Sequence, residues 1–441
     1  MKTVRFITVF VLLSLFLQMF IGIGLSQESD PSTILLKGGH VIDPANNINK
    51  IMDVLVDKGK IAHVAENIPE SEAQKVVDVS GYYVSPGFID LHAHFYHTDE
   101  IHGPSWVSPD SYGFQYGVTT IVDAGSSGAE TFEHFKESVI DVSLVRTLAF
   151  LNISKKGMSK REYENDPYLF DAKLAAKTAK MYPEIIIGFK TAHYDAGNYD
   201  GVRIPWISLD RVIEAGTLAD LPCMLDFHPA PPMDGYPERS FRDIILKKMR
   251  PGDIYTHCYY PHFPTVDDNF KVNPDVLKAQ ESGVYFDVGH GGGSFVFRIA
   301  VPAIKQGFWA NSISTDAHRS SSMGPMLNMT NVMSKILVIG IPLKEVIRRS
   351  TINPALEIKR PELGHLSVGA VADVSVFKLE KGKFIYTDVR GGKFIGDRNI
   401  RNFMTLFEGR IVFDPYGLSS TVWDKIPKDD EYWVIINKQR W

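Results

Sequence analysis

Cysteine is nearly absent: the chain holds Cys223 and Cys258 and no others. A framework of bridges therefore cannot carry the stability, and the fold must stand on a hydrophobic core, for which 441 residues with 44% apolar content are ample. The two cysteines either pair in an oxidising compartment or lie as buried thiols on neighbouring strands, and the sequence leaves both open. A surplus of positive charge is missing as well. With a formal charge of −5 and no cluster of Lys and Arg, the chain offers no footprint for nucleic acid. Past Leu25 there is no apolar run long enough to cross a bilayer, no solenoid repeat and no low-complexity segment.

The first residues form a unit of their own. Lys2 and Arg5 precede an apolar run from Phe6 to Leu25, and the small residues Gly24 and Ser26 have the spacing a signal peptidase requires. Residues 1–26 are read as an export signal rather than a membrane anchor, because polar "SQESDPS" follows with no basic flank. Cleavage would take the formal charge from −5 to −7 and leave a secreted or periplasmic protein with no membrane attachment.

Between residues 88 and 316, short apolar runs alternate with amphipathic stretches. The runs are "FIDLHAHF", "VTTIVDAG", "LVRTLAFLNIS", "EIIIGFK", "PCMLDFH", "DIYTHC", "VYFDVGH" and "SISTD"; stretches such as "DAKLAAKTAKMY" and "LDRVIEAGTLAD" separate them. Strand then helix, repeated in this way, predicts an α/β fold: a closed (β/α)8 TIM-like barrel over 86–360, whose strands are buried on both faces and need not alternate. The flanks, 27–85 and 361–441, read as hairpins broken by "GG", "DPANN" and "DKGK" and predict one small β-sandwich domain assembled from both chain ends, with the barrel inserted. The final charged and aromatic stretch "WDKIPKDDEYWVIINKQRW" has no assignment, and the "MGPMLNMTNVMSKIL" stretch reads as a helix packed on the barrel.

In such a barrel chemistry is carried where strands end. Strand one ends with His92 and His94, strand four with Lys190, strand five with Asp226 and His228, strand six with His257, strand seven with His290 and strand eight with Asp316. Residues i and i+2 of a strand point the same way, so His92 and His94 can offer two ring nitrogens to one ion. Burying His257 and Asp316 beside them without a compensating cation would be costly. Lys190 among histidines would be desolvated and driven toward its neutral amine, which can take up carbon dioxide to form a carbamate; pairing with a carboxylate is the plainer alternative. His290 precedes a glycine-rich turn whose N–H groups could hold an anionic part of a substrate, which makes it a candidate for substrate orientation, at even odds with a structural role. His318 is expected to orient the site from outside it, and Asn152 is a weak candidate for substrate contact. His97, His102, His134, His193 and His262 read as solvated loop or helix residues.

The order of "LLKGGHVIDPANN", "VSPGFIDLHAHF", "VTTIVDAGSSG", "GFK", "THC", "FDVGHGGGSF", "STDAH" and "TINPALEIKRPELGHLSVGAVADVSVF" resembles the amidohydrolase superfamily, in the branch with dihydroorotase-like enzymes and acetyl-mandelate-type deacetylases. The resemblance covers nearly the whole chain after the signal. It implies one or two divalent ions, usually Zn2+, with His92 and His94 as ligands of the more buried ion, Lys190 N6-carboxylated as the bridge, His257 on the second ion, and Asp316 both binding metal and moving protons. The strand-five motif departs from the family's pattern: "LPCMLDFHPAPP" places Asp226 where a histidine ligand normally stands and His228 two residues beyond, and either could serve. The expected activity is hydrolysis of an amide, a cyclic amide or an acetyl ester of a small molecule by a metal-activated hydroxide, with Asp316 as proton shuttle and no covalent enzyme intermediate. The alternatives are a binding protein that has lost catalysis on the same fold, and a deaminase; retention of Lys190 argues against the latter. Loops such as "YHTDEIHGPSWVSPDSYG" and "HYDAGNYDGVRIPW" would set the substrate, and a homo-oligomer is compatible with everything above.

Overall fold

The structure is a computed structural model that describes residues 33–96, 107–195, 204–227, 240–261 and 263–426. The proposed signal, the end of the C-terminal tail and His228 lie outside the described residues, as do His97, His102 and His262.

Among the described residues fifteen strands are formed. The first group is β1 (Thr33–Asp43), β2 (Ile48–Asp57), β3 (Lys60–Ala65), β4 (Lys75–Asp78) and β5 (Tyr83–Pro86). Then come β6 (Phe88–Ala93), β7 (Val118–Gly128), β8 (Arg146–Asn152), β9 (Ile186–Ala192), β10 (Cys223–Asp226), β11 (Ile254–Tyr255) and β12 (Tyr285–Phe286). The chain closes with β13 (Val374–Thr387), β14 (Lys393–Phe407) and β15 (Arg410–Phe413).

The strands β6 to β12 make one sheet in chain order, every pairing parallel. Both faces of β6, β7 and β9 are buried, as a parallel sheet under helices requires. The connecting helices carry their own start signals: the Asp171 carboxylate accepts the Leu174 N–H ahead of Ala172–Met181, and Asn273 accepts the Asp275 N–H ahead of Pro274–Glu281. The eighth apolar run does not form a ladder. It bridges β6 in parallel through Ala93 and Ala317, and the end of the seventh run through Asp287 and Ser312. Asp90 reinforces the first of these junctions, accepting the Thr315 N–H at 2.9 Å and the Thr315 hydroxyl at 2.5 Å. The last staves are short because their polar residues turn toward the cavity and leave the extended conformation: His257 and Asp316 have φ of 62° and 48°.

The two ends of the chain share the second sheet. Its order is β15-β14-β13-β5-β1-β2-β3, with β4 alongside β1. Where two packed layers were expected, hydrogen bonding traces a single continuous sheet, because the long β1 is bulged between Leu36 and Gly39 and pairs with β4 through one half and β5 through the other. Its core is apolar throughout, with Ile34, Leu36, Val54, Val56, Val84, Val374, Val376 and Met404 in one cluster. The methionine-rich stretch becomes the helix Met329–Ile339, which buries Met329 and Met333 and is tied to β14 by the Ile400 N–H donating to Ser334. Cys223 and Cys258 are both buried free thiols, so neither residue contributes a bridge. Among the described residues no helix is long and apolar enough to cross a membrane.

Candidate metal and catalytic site

Side chains from the C-terminal ends of the parallel strands converge on a cavity of about 340 Å³. His92, His94, Lys190, Asp226, His257 and Asp316 all line it. The Nε2 atoms of His94 and His92 stand 3.0 and 3.6 Å from the Asp316 Oδ1, and the His257 Nε2 stands 3.5 Å from the Asp226 Oδ2. One ligand atom each from His92, His257 and Asp316 falls within 4.8 Å of the others. Of the pair left open on strand five, Asp226 is in the cavity, and His228 lies outside the described residues.

Hydrogen bonds behind the rings decide which nitrogen faces the cavity. His257 Nδ1 lies 2.6 Å from the Gly289 carbonyl oxygen, which can only accept, so Nδ1 carries the proton and Nε2 the lone pair. His92 Nδ1 lies 2.9 Å from the Thr256 hydroxyl, which itself donates to Asp287 at 2.8 Å; the hydroxyl therefore accepts from Nδ1–H, and again Nε2 keeps its lone pair. His94 Nδ1 rests on the Ser126 hydroxyl at 3.0 Å. A buried ring nitrogen with a lone pair and nothing to receive is a ligand in waiting. His92 Nε2 is such an atom, and the Lys190 Nζ is a second buried polar atom without a partner. Charges follow the same pattern. Burial holds His92 well below the usual histidine range. Burial also pushes Lys190 down, more than the carboxylates of Asp226 and Asp316 raise it. Asp316 would be raised by burial, but the hydrogen bond from His94 and the neighbouring imidazoles hold it at about 2. Asp316, His257 and His193 all occupy left-handed backbone, a strain that proteins keep where a side chain must be aimed. Imidazole and carboxylate form the donor set that suits a divalent ion of zinc type, so the residues fit such a group.

His290 is placed differently from the expectation that it orients substrate. It is fully buried and is not among the described residues lining the cavity. Its ring stacks on Phe295 with centroids 4.7 Å apart, Nδ1 lies 3.0 Å from the Gly291 carbonyl oxygen, and Nε2 accepts from Lys335 at 2.8 Å. Both nitrogens are occupied, so it has nothing left for a ligand. The glycine turn after it makes room for side chains. A Cβ on Gly291 would stand 2.2 Å from the Asp316 Oδ2, and the Gly291 N–H already donates to the Thr315 carbonyl. Asn152 braces the turn of β7, donating to the Gly125 carbonyl at 3.0 Å.

Further residues line the cavity that the sequence reading left out of the ligand set, among them His193, which had read as a solvated loop or helix residue. Arg161 and Glu164 come from the 3-10 turn after β8, and His193 follows β9. His193 Nδ1 and Glu164 Oε2 pair at 2.9 Å, and the Glu164 charge raises His193 to about 9. His318, expected outside, lines the cavity beside His94. Only the helix-breaking "NDP" after Glu164 hinted that this turn comes back to the site.

Comparison with known proteins agrees with this geometry. A deacetylase of Brucella anthropi is 31% identical over 357 residues, 77% of this chain and 82% of the relative. The chain belongs to the amidohydrolase family. The model of the "Amidohydrolase family" matches residues 292–412. A deacetylase of Enterococcus faecalis is 29% identical over 86% of this chain and 98% of its own length. A crystal structure described as an adenine deaminase superposes with a TM-score of 0.76 and 28% identity, covering 86% of this chain and 99% of that one. As an amidohydrolase the chain is a hydrolytic enzyme acting on carbon–nitrogen bonds, of a family whose members generally bind divalent metals.

Proposed function

We propose that this amidohydrolase is an exported, metal-dependent deacetylase of small molecules, with the parallel staves closed as a (β/α)8 barrel set into the sheet built from the chain ends. The observation that carries the reading is the pair of buried, unsatisfied atoms, His92 Nε2 and Lys190 Nζ, beside His257 and Asp316. His92, His94, Asp316, His257 and Asp226 would hold one or two divalent ions, Zn2+ by donor type, and a carbamate formed from the Lys190 amine and carbon dioxide would turn that repulsive neighbour into an anionic ligand. When bound, the metal supplies Lewis acidity toward a carbonyl oxygen and toward water. Asp316, held as a carboxylate down to about pH 2, stands ready at neutral pH to take a proton and pass it to a leaving nitrogen or oxygen. Thr256 with Asp287 and the Gly289 carbonyl hold the imidazoles of His92 and His257 in the tautomer that presents Nε2. The two relatives named above are deacetylases, which supports an acetyl group as the piece removed. Export rests on Lys2, Arg5 and the apolar run that follows them.

Metal analysis of the purified protein, joined to a screen of N-acetylglycine, 4-nitrophenyl acetate, hydantoin, dihydrouracil and adenine, tests the reading. At least one equivalent of transition metal, lost in His92→Ala, and turnover of an acetyl compound are expected. Turnover of adenine alone would move the assignment to deamination, the reaction named for the superposed structure. Metal below one equivalent with no change in His92→Ala would end the proposal.

A further inference from the structure

The ring of His318 is held in the opposite sense to the ligand histidines. It caps the short helix Arg319–Ser322: its Nδ1 accepts the Ser321 main-chain N–H at 3.4 Å and lies 2.9 Å from the Ser320 hydroxyl, while its own main-chain N–H donates to the Ser321 hydroxyl at 2.9 Å. A main-chain N–H can only donate, so Nδ1 carries the lone pair and the ring proton sits on Nε2. In His92 and His257 the Nδ1 atom donates and the lone pair faces inward; in His318 a donor is left over. No acceptor among the described residues receives that Nε2–H. The ring lines the cavity with its centroid 6.4 Å from that of His94, one ring's width from the ligand cluster. On its far side the ring stands against Gly292, where an added Cβ would make an ordinary contact with it at 3.4 Å.

Several side chains of the cavity are acceptors only. Asp226, Asp316 and Glu164 line the same cavity as carboxylates, and His92 and His257 present lone pairs. None of these five can donate to a substrate carbonyl oxygen as it gains negative charge during hydrolysis; besides a bound metal and the Arg161 and His193 that also line the cavity, a neutral N–H fixed in place beforehand can. We infer that His318 is a catalytic residue of the proposed deacetylase, donating its Nε2–H to the acyl oxygen of the substrate as charge builds there. The ring does not pass this proton on. It is a donor whose orientation the helix cap sets, and its hydrogen bond strengthens from ground state to transition state. This inference rests on the hydrolase reading of the site.

The test uses the metal-loaded enzyme with 4-nitrophenyl acetate and N-acetylglycine as probes. His318→Phe keeps the bulk of the ring and removes the donor; kcat/KM is expected to fall by about 10²-fold, most of it in kcat, with bound metal unchanged. His318→Gln, which restores an N–H, recovers part of the loss. In the wild-type enzyme, nitrogen NMR of labelled histidine, assigned with His318→Gln, is expected to show Nε2 of this ring protonated and Nδ1 bare. A His318→Phe enzyme within twofold of wild type at equal metal content overturns the inference and leaves the hydrolase reading standing, and a proton on Nδ1 overturns it even if the variant fails to fold. A wild-type protein that binds no metal and turns over neither probe overturns the hydrolase reading and this inference with it.

Discussion

Among the described residues two lysines are buried, and they have opposite surroundings. Lys335, on the helix Met329–Ile339, is enclosed behind the cavity with acceptors on both sides, His290 Nε2 at 2.8 Å and the Pro325 carbonyl. Lys190, near the end of β9, opens onto the cavity, and its amine has no hydrogen-bond partner among the described residues. Burial lowers both, Lys335 to about 7. Two histidines repeat the contrast. His257 and His290 each give Nδ1–H to a carbonyl of the same turn, Gly289 and Gly291, yet the His290 Nε2 is filled by Lys335 and the His257 Nε2 faces the cavity. The same side chains are structural where neighbours satisfy them and functional where they are left to receive something else. Burial by itself does not separate the two cases, since His92, His290, Lys190 and Lys335 are all at 1% exposure or below.

The turn shared by the two regions is the place to break that contrast most severely. Gly291→Ala would put a methyl 2.2 Å from the Asp316 Oδ2 at a backbone φ of 54°. Activity is expected to fall by more than about 10²-fold because misplacing a reacting group by an ångström costs that much, with about 1–2 kcal/mol of stability lost to left-handed strain. Steady-state kinetics and thermal denaturation check both parts, and an active Gly291→Ala enzyme would mean that the turn does not govern Asp316.

A gentler change acts on the open side alone. Thr256→Val removes the acceptor that fixes the His92 tautomer while keeping the shape. Metal affinity is expected to drop by about 10–100-fold, read by competition with a chelator, with little change in the melting temperature. Unaltered affinity would show that the His92 ring is held by packing and not by its hydrogen bond.

The closed side shows its effect in the pH dependence. Lys335 is lowered from 10.5 to about 7, so between those values the unfolded chain binds more protons than the folded one, and the native state gains stability as pH rises. The contribution is complete above 10.5 and declines as pH falls toward 7. Lys335→Met abolishes this dependence, so the melting temperature of wild type relative to the variant is expected to climb between pH 7 and pH 10. A constant difference would mean that Lys335 titrates normally in the fold.

Much of the site was legible before any coordinates. His92, His94, Lys190, Asp226, His257 and Asp316 could be picked out because ionisable residues at the ends of apolar runs have no cheap structural explanation, and all six line one cavity. His290 satisfied the same rule and was misread, since the residue that satisfies it, Lys335, is 45 positions away. Arg161, Glu164 and His193 were passed over because a loop's path depends on what it packs against. The eighth run was legible as a stave, but not as one held by isolated bridges and by Asp90.

The alternation of apolar runs and amphipathic stretches, with histidines two apart at a strand end, pointed to a parallel α/β layout and to side chains of metal-ligand type, because side-chain periodicity is a local property of the chain. Which nitrogen each histidine turns inward, and which buried amine is left without a partner, was decided only when distant strands met. Those outcomes depend on acceptors tens or hundreds of residues away, such as Thr256 behind His92, and spacing along a chain carries no record of them.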